Sequence, residues 1–324
     1  MTALALGTPT TVAAAPAERQ QAADDQPQML LVHGYNGGSD APCDDIWGKA
    51  LDYYEEDGKR PEGSMTTIGY YKGDTGCDEK VGENTTDTPI QDVARDFAHY
   101  IYDNYTKDGK SVDIVAHSMG GLVTRVAMLG SYEEWEGFPP ALKVQDVATL
   151  GTPHQGIANG CAEVGEDCTT QWNQMTPSAA GGSGFIDKLH ESEDGAADRG
   201  LDDAWAADTD WSLIGSNVKD SDGDGKRDGD GTVFYNSAID KGYHADQKYG
   251  YRPDVHPEEG ENTCGNDPEI DHHAIRELTG AGGFCLRYWH ASGDDQGPFD
   301  TFDGWSPLKA AFKAVTHIGD DLPR

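Results

Sequence analysis

The sequence predicts an α/β fold: a mostly parallel central sheet with helices on both faces and a loop-rich cap insertion. Three observations lead there. Short apolar runs of strand character alternate with amphipathic stretches of helical period. The connections between those runs are long enough for right-handed crossovers, which join parallel strands. One segment, Ser111 to Arg125, passes from strand to helix pattern within a few residues. At 324 residues the chain is long enough to bury a large core.

In chain order, Met1 to Ala17 is small and mildly apolar and ends in Ala15-Pro16-Ala17, which looks like a cleavage site. It lacks a positive n-region, so it reads either as a clipped or mis-started secretory signal or as a disordered leader. Residues 18–27 are polar and expected to be disordered, and residues 28–324 are expected to form a single domain. Gln28 to Val32 is a strand, followed by His33-Gly34-Tyr35-Asn36-Gly37-Gly38, where glycines let backbone N–H groups point into a pocket. A helix is expected over Asp45 to Tyr54 and a strand over Thr66 to Tyr71. Asp87-Thr88-Pro89 caps the next helix, whose stripe is Ile90, Val93, Ala94, Phe97, Ile101 and Tyr105. Val112 to Ala116 is the next strand, running into a helix that lasts to about Gly130. Val144 to Leu150 is a further strand, broken by Gly151-Thr152-Pro153-His154. Residues 154–210 are irregular and suit a cap over a site. Trp211 to Gly215 resumes the sheet, and an acidic loop covers residues 220–231. Beyond residue 236 the pattern reads as loops with two helical patches, Ile275 to Leu278 and Leu308 to Val315.

Lys and Arg total 24 against 58 Asp and Glu, a formal net charge of −34. That field repels nucleic acid and anionic membrane surfaces, so neither is an expected partner. No apolar run is long enough for a transmembrane helix. The six cysteines form no Cys-x-x-Cys pair, which points away from zinc and towards disulfides in an oxidising compartment. Their pairing is not determined by sequence; three local bridges, 43–77, 161–168 and 264–285, are the expectation.

The chemistry concentrates at His117-Ser118-Met119-Gly120-Gly121. A strand that turns sharply into a helix strains the residue at the bend and projects its side chain clear of the sheet. Ser118 is therefore the candidate nucleophile, with Ala116 where such elbows usually carry a first glycine. A serine nucleophile needs a base in reach and a carboxylate to hold that base's tautomer. Asp230 is the candidate acid, since Asp230-Gly231-Thr232-Val233 closes the acidic loop. His244, His256, His272, His273, His290 and His317 follow it. Of these, His272 sits at the mouth of the helical patch with Ile275 to anchor it, and His273 remains the alternative base. His117, His154, Met175 and Phe185 are candidate pocket residues. His117, beside the nucleophile in sequence, is expected to point away from it, and the apolar pair serves equally as the cap's own core.

Asp220, Asp222, Asp224 and Asp228 stand at offsets 1, 3, 5 and 9, with Gly225 at 6 and Lys226 at 7, as in calcium loops. Position 12 is Gly231 where an EF-hand carries Glu, so the loop looks more like the Asp-x-Asp-x-Asp-Gly loops of thrombospondin type 3 repeats. A solvated acidic loop is the alternative. Calcium is the one expected cofactor, and no organic cofactor is indicated.

Leu31-Val32-His33-Gly34-Tyr35, Ala116-His117-Ser118-Met119-Gly120-Gly121, Leu150-Gly151-Thr152-Pro153-His154-Gln155-Gly156 and Asp230-Gly231-Thr232-Val233 resemble the secreted microbial triacylglycerol lipases and esterases of the α/β-hydrolase superfamily. The resemblance covers roughly Gln28 to Leu278. It implies ester hydrolysis with Ser118 as nucleophile, Asp230 as acid, His272 as base, and the N–H groups of Tyr35 and Met119 as the oxyanion hole. The expected protein is then a secreted, monomeric serine ester hydrolase acting on a lipid or small ester. Acyl transfer to an alcohol on the same residues is the main alternative, a peptidase is another, and a catalytically dead, calcium-binding secreted protein is the rival from a different class.

Overall fold

The computed structural model describes residues 26–165, 168–191, 200–201, 203–252, 269–280, 283–290 and 297–316. Residues 1–25 of the expected leader lie outside them, as do His256, His317 and Cys264.

Among the described residues nine strands form one sheet: β1 (Gln28–Val32), β2 (Met65–Tyr71), β3 (Glu79–Asn84), β4 (Val112–His117), β5 (Val144–Leu150), β6 (Asp210–Ser216), β7 (Gln247–Tyr251), β8 (Phe284–His290) and β9 (Phe299–Gly304). Their order is β3-β2-β1-β4-β5-β6-β7-β8-β9. Every pair from β3 to β7 is parallel, and β8 and β9 add on antiparallel. The mostly parallel sheet is as the alternating pattern predicts.

Helices cover both faces because the central strands are apolar on both. Leu30, Val32, Ile114 and Ala116 point to one face, where they meet α2 (Ile90–Asn104) and α3 (Met119–Tyr132) through Val93, Phe97, Leu122 and Val126. Met29, Leu31, Val115 and Ile214 point to the other, against α1 (Cys43–Glu56) and α8 (Pro307–Thr316) through Trp47, Tyr54, Leu308 and Phe312. The period of two in a strand sorts these side chains. Phe97 and Trp47 are wholly buried, and truncating such a ring to Ala typically costs about 3–5 kcal/mol.

Several elements differ from the expectation. The stretch beyond residue 236 is not a run of loops, since it carries β7, β8 and β9. The β7 sequence, Gln-Lys-Tyr-Gly-Tyr, lacks an apolar alternation. Its Lys248 is buried because the ammonium donates to the carbonyls of Asp240 and Tyr243, at 3.0 and 2.6 Å. The patch at Ile275 is a single 3-10 turn, Ala274–Arg276, whereas that at Leu308 is the full α8. Helix α2 starts where Pro89 predicts, but neither Asp87 nor Thr88 caps it. The Ile90 N–H donates instead to Gln174 Oε1 at 2.7 Å. Gln174 lies in α5 (Thr170–Met175), a short helix of the cap, as are α4 (Cys161–Val164) and α6 (Phe185–Lys188). A last short helix, α7 (Tyr235–Ala238), precedes β7.

Cys43 pairs with Cys77 and Cys161 with Cys168, at Cα separations of 4.9 and 5.2 Å. Cys285 is also disulfide-bonded; its expected partner, Cys264, lies outside the described residues. Among the described residues no helix is long and apolar enough to cross a membrane.

Candidate active site

Parallel strands place their C-terminal ends along one edge, the usual ligand edge of an open α/β sheet. Four segments meet there: the loops after β1, β4, β5 and β6, with the turn at His272 closing over them. Ser118 joins β4 to α3 with φ 54° and ψ −130°, a conformation that costs a non-glycine residue on the order of 1–3 kcal/mol. The bend is held from both sides. The Ser118 N–H donates to Leu150 O at 2.9 Å, and Thr152 Oγ1 donates to Ser118 O at 2.8 Å. Neighbouring glycines make the close approach possible. A Cβ on Gly120 would lie 2.4 Å from Val32 O, and one on Gly34 would lie 2.6 Å from Ser118 Cβ. The loop after β1 therefore runs directly against the serine.

His272 Nε2 is 2.9 Å from Ser118 Oγ, and His272 Nδ1 is 2.8 Å from Asp230 Oδ2. Asp230 is 1% exposed. Its second oxygen, Oδ1, accepts the N–H groups of Thr232 and Val233 at 3.0 and 2.8 Å. The His272 backbone is fixed as well: its N–H donates to Asp230 O at 3.0 Å, and its carbonyl accepts from His117 Nε2 at 2.7 Å. The structure thus brings Ser118, His272 and Asp230 into one hydrogen-bonded line. The alternative, His273, is exposed and turned towards the Arg276 guanidinium.

His117 stands behind the line, its ring 4.8 Å from that of His272. Burial, and then the neighbouring His272 and Arg276, hold its imidazole well below the ordinary range. A neutral ring gives its one N–H to the His272 carbonyl, so His117 supports His272 from beneath. His154 is wholly buried, with Nε2 3.1 Å from Thr149 Oγ1. Burial lowers it to about 3, against a raising influence from Asp240 and a lowering one from Arg125. Its neighbourhood is the Arg125–Asp240–His190 cluster, so it is not a pocket wall open to solvent. Met175 and Phe185 are buried in the cluster that contains Met119 and that Tyr35 and Trp172 border. A cleft of about 380 Å³ opens at the opposite ends of β4 and β5, lined by Met128, Leu142 and Trp205 among others. It includes none of the residues around Ser118.

In the acidic loop, Asp220, Asp222, Asp224 and Asp228 bring carboxylate oxygens within 4.8 Å of one another. Asp220 accepts the N–H groups of Gly223 and Gly225, each at 2.7 Å. The Lys226 ammonium reaches Asp224 Oδ2 at 2.6 Å. Gly229 bridges to Lys219 and to Phe234, and Asp230 follows directly.

Sequence reasoning gave no site role to Gly151 or Thr152, and none to Tyr70 or Asp74. A Cβ on Gly151 would lie 2.9 Å from Asp230 Oδ2 and 3.3 Å from His272 Nδ1, so only glycine leaves room for that pair. The glycine in the motif after β5 was the available signal. Asp74 had none, because its partners come from three separate segments.

Residues 25–180 match the family model of a PGAP1-like alpha/beta domain. That match spans just under half of the chain, and the sheet order and the turn at Ser118 fit an α/β-hydrolase fold. Solved structures similar to it include the mature form of the Bacillus licheniformis lipase BlEst2, 17% identical, with 78% of this chain and 87% of that one covered and a TM-score of 0.43. The lin2722 gene product of Listeria innocua is 13% identical over 92% of this chain and 97% of that one, with a TM-score of 0.48. The phospholipase PlaB of Legionella pneumophila is 18% identical over 65% of this chain but only 44% of its own length, with a TM-score of 0.45. No curated protein matches the chain in sequence.

Proposed function

We propose that the chain is a secreted serine carboxylic-ester hydrolase of the lipase or esterase kind, working through an acyl-enzyme on Ser118. The observation that carries this reading is the line Ser118 Oγ, His272, Asp230, with steps of 2.9 and 2.8 Å, set at a strained strand-to-helix turn. His272 takes the Ser118 proton as the oxygen attacks the ester carbonyl, while Asp230 holds the Nδ1–H tautomer. Met119 is the first residue of α3, where helix N–H groups have no partner within the helix. Its N–H and that of Tyr35 receive the oxyanion, and one such donor is worth about 3 kcal/mol of barrier. The alcohol leaves with the proton from His272, and water repeats the sequence on the acyl-enzyme. The apolar cluster around Met119, Met175 and Phe185, bordered by Tyr35 and Trp172, supports a lipid or small-ester acyl group. The disulfides support an extracellular setting.

A fluorophosphonate should form a covalent adduct at Ser118, located by peptide mass mapping, and Ser118→Ala should abolish hydrolysis across a panel of p-nitrophenyl esters. A variant that keeps wild-type turnover would place the nucleophile elsewhere.

Calcium is part of the same reading. Four carboxylates drawn this close repel one another, and their oxygen donors suit a hard cation. Asp220, Asp222, Asp224 and Asp228, with the Lys226 carbonyl at position 7, would hold it. When bound, the ion neutralises the loop and stiffens the segment leading to Asp230. A chelator should then lower the melting temperature, and an unchanged melting curve would retire the calcium site.

A further inference from the structure

The Gly34 carbonyl and the Tyr35 N–H belong to one planar peptide unit, so whatever holds that oxygen aims that hydrogen the opposite way. His33 Nδ1 lies 2.8 Å from Gly34 O. The Tyr70 hydroxyl lies 2.8 Å from Gly34 O and 2.9 Å from His33 O. A phenol has one proton to share between those two carbonyls, and carbonyls only accept. The count closes when Nδ1 of His33 carries a hydrogen too. Burial, followed by the nearby Tyr71 and Asp74, raises the Tyr70 phenol well above its ordinary range, so it remains a donor.

The other ring nitrogen, Nε2, is 2.9 Å from Asp74 Oδ2. That oxygen already accepts the N–H groups of Tyr70 and Tyr71, each at 2.8 Å, and Oδ1 takes the Ala41 N–H at 2.7 Å. Burial raises the Asp74 carboxyl, but the bonds from His33, Tyr71 and Ala41 carry it below the usual range. An ionised Asp74 therefore faces one nitrogen of His33 and a carbonyl faces the other, so both nitrogens donate. The ring is wholly buried and stacks on Tyr70 with centroids 4.1 Å apart.

Resting on the reading of the Tyr35 N–H as an oxyanion donor, we propose that His33 is a positioning residue: held doubly protonated between Asp74 and the Gly34 carbonyl, it sets the peptide plane that presents that donor. His33 itself touches no reacting atom. Its effect falls on the transition state, where the oxyanion exists, and leaves ground-state binding alone.

The test is His33→Gln in the full-length enzyme, with turnover normalised to the sites titrated by a fluorophosphonate. The expected result is a fall in kcat of roughly 10²-fold, the range for a lost oxyanion donor, with KM nearly unchanged. An alkyl boronic acid, whose tetrahedral adduct places an oxygen in the same hole, should weaken by a similar factor. In the wild-type protein, nitrogen NMR near neutral pH should show both ring nitrogens of His33 bearing hydrogen. Should His33→Gln fail to fold, Tyr70→Phe removes the second donor and should show the same kcat-only signature at a few-fold level. Wild-type kcat per titrated site in the folded variant, or a neutral His33 ring, would overturn the proposal. An enzyme in which the fluorophosphonate leaves Ser118 unmodified would instead overturn the nucleophile assignment, a separate and visible failure.

Discussion

Two histidine–aspartate pairs sit within the same edge of the sheet and differ in what faces the second nitrogen. In one, Asp230 holds Nδ1 of His272 at 2.8 Å and Nε2 meets the Ser118 hydroxyl. In the other, Asp74 holds Nε2 of His33 at 2.9 Å and Nδ1 meets the Gly34 carbonyl. A hydroxyl can give up a proton, whereas a carbonyl cannot. On the proposed reading the first ring receives a proton and passes it on, and the second keeps both of its own. Exposure follows the same division: the His272 side chain is 12% exposed and that of His33 is wholly buried. The same two residue types thus serve opposite ends, and the third partner decides which.

The comparison can be broken at several strengths. Ser118→Ala removes the group that gives the first pair its proton, and turnover should fall by roughly 10⁶-fold, as nucleophile losses do elsewhere. Melting temperature should stay near wild type. Asp230→Asn leaves the ring in place with the wrong tautomer favoured, and kcat should drop by roughly 10⁴-fold. Asp74→Asn acts only through a peptide plane, so its loss in kcat should not exceed the roughly 10²–10³-fold seen for one missing oxyanion donor. If steady-state kinetics ranked Asp74→Asn above Asp230→Asn, the two pairs would have been assigned the wrong way round.

The smallest effect concerns a third histidine, beside the Arg125–Asp240–His190 cluster. His154 has no carboxylate on either nitrogen, and burial lowers it to about 3, against about 6.5 for an exposed imidazole. Between those values the unfolded chain binds more protons than the folded one, so stability declines as pH falls through that window. The stabilisation is complete above the unfolded value and is lost on acidification. Melting curves from about pH 7 down to about pH 4 should be shallower in pH for His154→Gln than for wild type. An identical slope would mean that the ring does not resist protonation.

Legibility followed the reach of the interactions. The turn at Ser118 is built from adjacent residues: an apolar strand, a small residue, two glycines and a helical stripe. Its strain can be read within one short window. Asp230 was within reach because its own backbone turn, closed on Thr232 and Val233, leaves a local trace. Choosing between His272 and His273 was a different problem. Adjacent residues in a tight turn point apart, and which one meets Ser118 depends on bonds from His117 and Asp230, distant in the chain.

What the sequence alone determined was the alternating α/β pattern, the strained serine and the acidic loop, because each is enforced by neighbours along the chain. Strands β7 to β9, the Gln174 cap on α2 and the setting of His33 against Asp74 were decided by the folded arrangement. A strand such as β7 acquires its identity from the strands beside it, and a buried histidine acquires its protons from whichever acceptors close around it. Those partners come together only when the sheet has assembled.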